Sequence, residues 1–520
     1  MTNARKEPDA AATTDGGASL LRALDGVRKE AAARLDPRRR AQMGQFLTPS
    51  PIATFMAEMV RCRKSNISIL DPGAGAGSLC TALVLTLCQR LTRPASIAVT
   101  AYEIDPLLVD YLRQALDECK AVCDGFGISF QARLVDRDFL EAGANGLAGD
   151  LFEMGERERF DCVILNPPYR KIRTESRERS LLRSIGLETT NLYAGFVAIA
   201  ARLLAPGGEI VAITPRSFCN GPYFEPFRRY FLQDMRFRRV HIFDARDKAF
   251  GDDKVLQENV IFHAVKTSEA NPAVVVSANA APGADLRRRM IKHGELIYPG
   301  DQHAVIHIVP EEDGKFRRDQ ISSLGETLTT LGLTVSTGRV VDFRARDLLR
   351  AQPGKNTVPL IYPCHFSDGF VKWPNGCTRK PNALALGPGA DGLVVPGGHY
   401  VLTKRFSSKE ESRRIVAAVY DPVRVTAQEV AFENHLNYFH DRGSGLPVTL
   451  TKGLAAYLNS SLVDIYFRQF SGHTQVNASD LRSLPYPTHS ALVALGRRIG
   501  MAFPEQEELD RLIDEVLFGG

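Results

Sequence analysis

The sequence predicts a doubly wound, mostly parallel α/β domain followed by a mixed α+β domain. Three observations carry this. Short aliphatic and β-branched runs alternate with helix-period segments from about residue 67 to residue 265. Polar or glycine-rich turns recur where those runs end, and ligands of such sheets bind at the carboxyl ends of strands. The alternation stops near Asn271, after which short strand-like runs and turn residues prevail. The length, 520 residues, also exceeds one ordinary core.

Residues 1–18 are small and polar and lack the apolar stretch of a secretory signal, so a disordered leader of a cytoplasmic protein is expected. Leu20, Leu21, Leu24, Val27, Ala31 and Leu35 recur at helical spacing and predict an amphipathic helix over 19–40. A second helix is expected over 49–60, capped by Thr48 or Ser50. Residues 67–70 read as a strand running into Asp71-Pro72-Gly73-Ala74-Gly75-Ala76-Gly77, with a helix over 78–91. Strand 97–102 ends at Glu103, and helix 106–121 follows. Strand 128–134 leads to Asp138-Phe139, and strand 160–165 to Asn166. Helix 192–204 is broken by Pro206-Gly207-Gly208, strand 209–213 follows, and 255–265 supplies one or two more strands. These elements make a catalytic domain over 19–271. Residues 271–283, small and Pro-containing, read as a linker, and a second domain is expected over 272–520, with a late helix at 454–467.

Composition narrows the class. With 44% hydrophobic and 24% charged residues and no apolar run of about 18 residues, no membrane span is expected. A net charge of +5 permits a nucleic-acid partner without demanding one. Nine cysteines are scattered, and Cys119 with Cys123 finds no second Cys or His pair to complete a zinc set, so reduced thiols and no metal are expected.

Chemistry concentrates at the predicted strand ends. The turn at Gly73, Gly75 and Gly77 lets backbone approach a ligand closely. Its first residue, Asp71, would repel a dinucleotide pyrophosphate. It suits a cofactor with a cationic amino-acid end, such as S-adenosylmethionine with its ammonium and sulfonium. Glu103 can accept from both ribose hydroxyls, and Asp138 from an adenine amino group with Phe139 against the ring. Gly44-Gln45-Phe46-Leu47-Thr48-Pro49, with Thr48, could close the methionine end.

Asn166-Pro167-Pro168-Tyr169 follows a buried-looking strand, and its prolines stiffen the loop. The lone pair of an exocyclic amino nitrogen is delocalised into its ring. Two acceptors set against its N–H groups favour a tetrahedral nitrogen with a localised lone pair, and they stabilise the charge that develops during attack. The Asn166 side-chain oxygen and the Pro167 carbonyl can be those acceptors, with Tyr169 offering a flat face to the base.

In this order the elements resemble the amino-methylating DNA methyltransferases of the N6-adenine subclass. The likeness is to the TaqI-like (gamma) family and, within it, to the BsuBI/PstI-type modification methylases. It covers about 40–270 and rests on Gly44 to Pro49, Asp71 to Gly77, Glu103-Ile104-Asp105, Asp138-Phe139, Asn166 to Tyr169, Asn191-Leu192-Tyr193 and Pro206-Gly207-Gly208. The resemblance implies a Rossmann-like S-adenosylmethionine-dependent catalytic domain and a target base flipped out of duplex DNA. It also implies an aromatic behind that base, here Tyr223 or Phe224. The partners it implies are double-stranded DNA and a restriction endonuclease acting on the same site, with the enzyme a monomer. The turn departs from the family in carrying alanines where a bulky residue is common, which backbone contacts should tolerate.

Other chemistries fit less well. Cytosine C5 methylation needs a cysteine nucleophile, and Pro363-Cys364 lies far from the cofactor strands. N4-cytosine enzymes usually carry serine where Asn166 stands. An RNA-base or protein-glutamine methyltransferase can use the same loop, but such chains usually lack a C-terminal region of this length. That region holds candidate DNA contacts at Arg339, Lys404, Arg405, Lys409, Asn434, His473, Gln475 and Asn477. Lys and Arg there would fix phosphates, and Asn, Gln, His and Arg could read base edges. The Lys-Arg-Phe-Ser-Ser-Lys and Gly-His-Thr-Gln-Val-Asn strings also look like those of the BsuBI/PstI-type enzymes, which implies a target-recognition domain.

Overall fold

The computed structural model describes residues 25–36, 43–148, 159–243, 258–270, 272–279, 284–301, 303–308, 316–317, 319–321, 323–374, 380–407, 411, 413–470 and 475–519. The expected leader, the start of the first helix, Lys409 and His473 lie outside them. The chain divides into two compact units, 1–310 and 311–520.

In the first unit the described residues form a nine-stranded sheet: β1 (Asn66–Pro72), β2 (Ser96–Tyr102), β3 (Ser129–Val135), β4 (Phe160–Leu165), β5 (Leu204–Pro215), β6 (Met235–Phe243), β7 (Asn259–Lys266), β8 (Ala273–Asn279) and β9 (Arg287–Lys292). Their order is β3-β2-β1-β4-β5-β7-β6-β8-β9. β1 to β5 run parallel, and β7 is antiparallel to both β5 and β6. The predicted doubly wound fold is therefore present. Its strand order reverses between β1 and β4, the switch point where such sheets bind ligands.

Side-chain alternation gives the sheet two apolar faces. Ile67, Ile69, Cys162, Ile164, Val211, Ile213 and Ile261 pack against helices Ser50–Ala57, Ser78–Cys88 and Pro106–Gly125. Leu70, Val163, Leu165, Ala212, Val260 and Phe262 pack against helices Phe139–Ala148, Leu192–Leu203 and Glu225–Asp234. Helix Pro106–Gly125 shows how sequence sets an element. The Asp105 carboxylate accepts from Leu107 N–H at 3.0 Å, Pro106 occupies the first turn, and Leu108, Leu112, Ala115, Leu116, Cys119 and Cys123 bury one stripe.

Several expectations are corrected. The linker at 271–283 contains β8, which pairs with β6 and β9 and buries Val274, Val276 and Ala278. The second unit thus begins at 311, about forty residues beyond the expected boundary at 272. Strand 209–213 extends to Leu204–Pro215, taking in the Pro-Gly-Gly thought to precede it. Helix Ser50–Ala57 has Pro49 at its N-cap and no side-chain cap, so neither Thr48 nor Ser50 plays that part.

The second unit is mixed α+β, as expected. It holds a six-stranded and a five-stranded sheet together with helices Val448–Leu458, Ser461–Phe470, His489–Arg498 and Gln506–Phe518. The single late helix expected at 454–467 is two, broken at Asn459 and Ser460. No described helix is long and apolar enough to cross a membrane.

Candidate active site

A cavity opens at the switch point. Its wall includes Phe46, Leu47, Thr48, Gly73, Ala74, Gly75, Glu103, Ile104, Asp138, Phe139, Asn166, Pro168 and Phe196. Two turns with left-handed glycines shape it. Gly75 has φ +59°, and a Cβ there would sit 2.9 Å from the Leu47 side chain. Gly44 has φ +67°, and a Cβ there would lie 2.9 Å from the Tyr169 backbone, whose N–H donates to Gly44 O at 2.9 Å. The segment ahead of helix Ser50–Ala57 is thereby docked on the Asn-Pro-Pro-Tyr loop.

That docking orients Asn166. Its Nδ2 donates to Phe46 O at 2.8 Å and to Thr48 Oγ1 at 3.0 Å, which uses both amide hydrogens. Its Oδ1 is buried and has no hydrogen-bond partner among the described residues. Sequence reading assigned Thr48 to the cofactor; the structure places it on the cavity wall and also makes it a positioning residue for Asn166. Thr48→Val keeps the shape and removes the acceptor. It should lower kcat by about 10-fold with little change in stability, the loss expected for one hydrogen bond of modest net worth. Steady-state kinetics with a thermal melt on the same variant would check this.

Tyr169 is fixed by its hydroxyl, which donates to Ile213 O at 3.2 Å. Its ring lies in an aromatic row. The centroid of Phe46 is 5.4 Å away, Tyr193 stands edge-on at 6.2 Å, and Phe224 stacks on Tyr193 at 5.4 Å. Phe224 is 6% exposed and Tyr223 74%.

The cofactor candidates separate into wall and support. Glu103 is on the wall and 5% exposed. Its Oε2 accepts from Gly75 N–H at 2.9 Å, and its Oε1 from the N–H groups of Ile104 and Asp105 at 2.9 and 2.8 Å. Burial raises its pKa against those bonds. Asp138 Oδ1 caps the following helix, accepting from Leu140 N–H at 2.7 Å, while the residue stays exposed. Phe139 packs edge-on against Tyr102 at 5.2 Å, and its ring is tilted against that of Phe196 at 5.2 Å.

Asp71 and Gly77 do not reach the wall. A Cβ at Gly77 would lie 2.8 Å from that of Ala115, so this glycine serves helix packing. Asp71 is fully buried behind the turn, where its Oδ2 accepts from Cys80 N–H at 3.2 Å. Burial, helped by the charge of Glu103, pushes its pKa up to about 7, against the lowering effect of the Cys80 bond. A carboxyl whose folded pKa lies above its ordinary value of 3.8 holds its proton more tightly when folded. Its stabilising contribution is complete below that value and is lost as pH rises toward about 7. Asp71→Asn should therefore flatten the fall in unfolding midpoint between those two pH values. An unchanged pH profile would mean that Asp71 does not titrate there.

Ile104 and Leu192, within the family-like strings, also line the wall, whereas Phe196 and Leu108 gave no sequence signal: both sit in helices at ordinary core spacing.

In the second unit the structure draws together four of the stretches offered as nucleic-acid contacts. Arg405 N–H donates to His435 O at 2.8 Å, its Nη1 to Asn434 O at 3.2 Å, and Val476 N–H to Arg405 O at 2.7 Å. Asn434 N–H donates to Val340 O at 2.8 Å, and Phe406 bridges to Gln475. Lys404 ends a strand of the six-stranded sheet beside them. Arg339 Nη1 donates to the carbonyls of Gly392 and Val394 at 3.1 and 3.3 Å. Asn477 is committed elsewhere: it forms a capping box with Asp480 on helix Ala478–Arg482. Phe406, 44% exposed with its ring 4.9 Å from that of His435, was not singled out as a contact.

Comparison with known proteins identifies the family. The Eco57I restriction-modification methylase family matches residues 117–250. The type II methyltransferase M.PstI of Providencia stuartii is 40% identical over 500 residues, which is 96% of this chain and 97% of the relative. The type II methyltransferase M.BsuBI of Bacillus subtilis is 40% identical over 482 residues, 92% of this chain and 94% of the relative. The type IIL restriction-modification enzyme MmeI, solved in complex with DNA, shares the fold with a TM-score of 0.58 at 13% identity, covering 93% of this chain and 77% of its own. The chain belongs to the type II methyltransferases of restriction–modification, in the family of M.PstI and M.BsuBI.

Proposed function

We propose that the protein is a site-specific DNA methyltransferase acting on N6 of an adenine flipped out of duplex DNA, as the modification enzyme of a restriction–modification system. The observation that carries this reading is Asn166. Both of its amide hydrogens are spent on Phe46 O and Thr48 Oγ1, and its Oδ1 is left as a buried acceptor with no donor among the described residues. An acceptor in that state suits an amino group.

The residues present fit S-adenosylmethionine. Glycines 73 and 75 present bare backbone to the cavity, where a Cβ at 75 would collide with Leu47 on the same wall, Glu103 offers a carboxylate for ribose hydroxyls, and Phe139 with Ile104 offers apolar surface to an adenine. When bound, that cofactor supplies an electrophilic methyl group. Asn166 Oδ1 and the Pro167 carbonyl accept the amino hydrogens of the target, localise its lone pair and offset the charge that develops on nitrogen. Pro167 and Pro168 hold the loop rigid, so that catalysis is mainly positioning. Tyr169 offers its ring to one face of the base. Phe224 is buried against Tyr193, which leaves the exposed Tyr223 as the ring free to meet the other face.

The second unit is the target-recognition domain in this reading. Its support is the clustering of Lys404, Arg405, Asn434 and Gln475, residue types that suit phosphates and base edges. The protein acts in the cytoplasm as a monomer, on one strand at a time, beside an endonuclease of the same specificity. Incubation with labelled cofactor and duplex DNA, RNA or protein tests the substrate. Label in duplex DNA is expected, and label only in RNA or in a glutamine amide would overturn the reading.

A further inference from the structure

Asn259 opens β7 and is 3% exposed, yet neither its Oδ1 nor its Nδ2 has a hydrogen-bond partner among the described residues. Burying an amide unpaired costs free energy comparable to a lost hydrogen bond, and both ends of this one are unpaired. Such a group calls for something to complete it.

The sheet register says where it points. Leu165 of β4 is level with Ala212 of β5, and Ala212 with Phe262 of β7. Asn166 is one residue on, level with Ile213. Asn259 is opposite Pro215, two residues farther toward the same carboxyl end. Ile164, Ile213 and Ile261 share one face of the sheet, whereas Leu165, Ala212 and Val260 share the other. By alternation, Asn166 and Asn259 both project on the first face. Two strand spacings and two residue steps put their backbones roughly 12 Å apart, near enough for one base to touch both side chains.

The place is also rigid. Arg216 N–H donates to Glu258 O at 2.7 Å, and the Arg216 and Glu258 side chains form a buried ion pair at 2.5 Å. That pair pins the start of β7 to the end of β5.

We infer that Asn259 recognises the target base: its Nδ2 donates to a ring nitrogen of the adenine whose N6 hydrogen is taken by Asn166 Oδ1. This rests on the adenine reading above. N1, N3 and N7 of adenine are acceptors only, so the partner must bring a hydrogen, which an amide has and a carboxylate lacks. No other part of the proposed mechanism uses the Asn259 side chain.

The test uses the full-length protein and duplexes in which the target adenine is replaced in turn by its 1-deaza, 3-deaza and 7-deaza analogues. Wild type should lose about 10-fold in kcat/KM on one analogue, the size of one hydrogen bond. Asn259→Ala should lose the same on adenine and nothing more on that analogue. Asn259→Asp, which keeps the shape and removes the donor, should behave likewise, and it serves if the alanine variant folds poorly. A structural role would not move the analogue profile. A variant that methylates adenine normally, or keeps the wild-type analogue profile, overturns this assignment alone. Wild-type product methylated on cytosine N4 overturns the adenine reading and this assignment with it.

Discussion

Asn166→Ala should abolish methyl transfer, with a fall in kcat of about 10²–10³-fold or more, the loss typical of removing one oriented group that stabilises developing charge. Affinity for S-adenosylmethionine should change by no more than a few-fold. The two effects separate because the groups are held by different partners. Glu103, the turn at 73–76 and Phe139 line the same cavity as Asn166, but the hydrogen bonds of Glu103 go to Gly75, Ile104 and Asp105 and none to Asn166. The amide of Asn166 is tied instead to Phe46 and Thr48, 120 and 118 residues earlier in the chain. Single-turnover transfer and equilibrium binding of the cofactor, measured on the same preparation, would check this. Equal loss of both would mean that the loop supports the cofactor rather than the reacting base.

Gly453→Ala should destabilise the second unit by about 3 kcal/mol or more, at the upper end for overpacking. Helices Val448–Leu458 and His489–Arg498 meet at two glycines. A Cβ at Gly453 would fall 1.8 Å from Leu492 O, and one at Gly496 would fall 1.7 Å from Thr449 O. Both obstacles are backbone, so the helices themselves must separate. The sign is informative, because alanine in a helix is intrinsically better than glycine by about 1 kcal/mol. Gly146, in helix Phe139–Ala148 with nothing within 4 Å of its missing Cβ, is the control, and Gly146→Ala should stabilise slightly. Urea unfolding of the two variants reads the opposite signs.

The features legible in the sequence were those whose chemistry sits on contiguous residues. The turn at Gly73 to Gly77 and the Asn-Pro-Pro-Tyr loop announce close backbone approach and an amino acceptor by their own composition, and the cavity lies between them. Contacts between distant segments were not legible. Thr48 looked like a helix cap because a hydroxyl beside Pro49 usually is one, whereas its hydroxyl belongs to Asn166. Asp71 had the right charge for a cationic ligand, but the turn places it behind the wall, where burial holds its proton up to about pH 7. Strand β8 was hidden by the alanines and prolines around it, although Val274 and Val276 alternate as a strand requires. Asn259 is invisible in sequence, since only the register of β7 on β5 shows which face it takes and only the packing shows that it has no hydrogen-bond partner among the described residues.

The central claim is that the Asn166 loop methylates the amino group of adenine. Nucleoside analysis of duplex DNA after reaction with the protein and labelled S-adenosylmethionine tests it most directly. The account predicts that the label co-elutes with N6-methyladenosine as its deoxy form, at one sequence context. Label in N4-methylcytosine, or in no base at all, would contradict it.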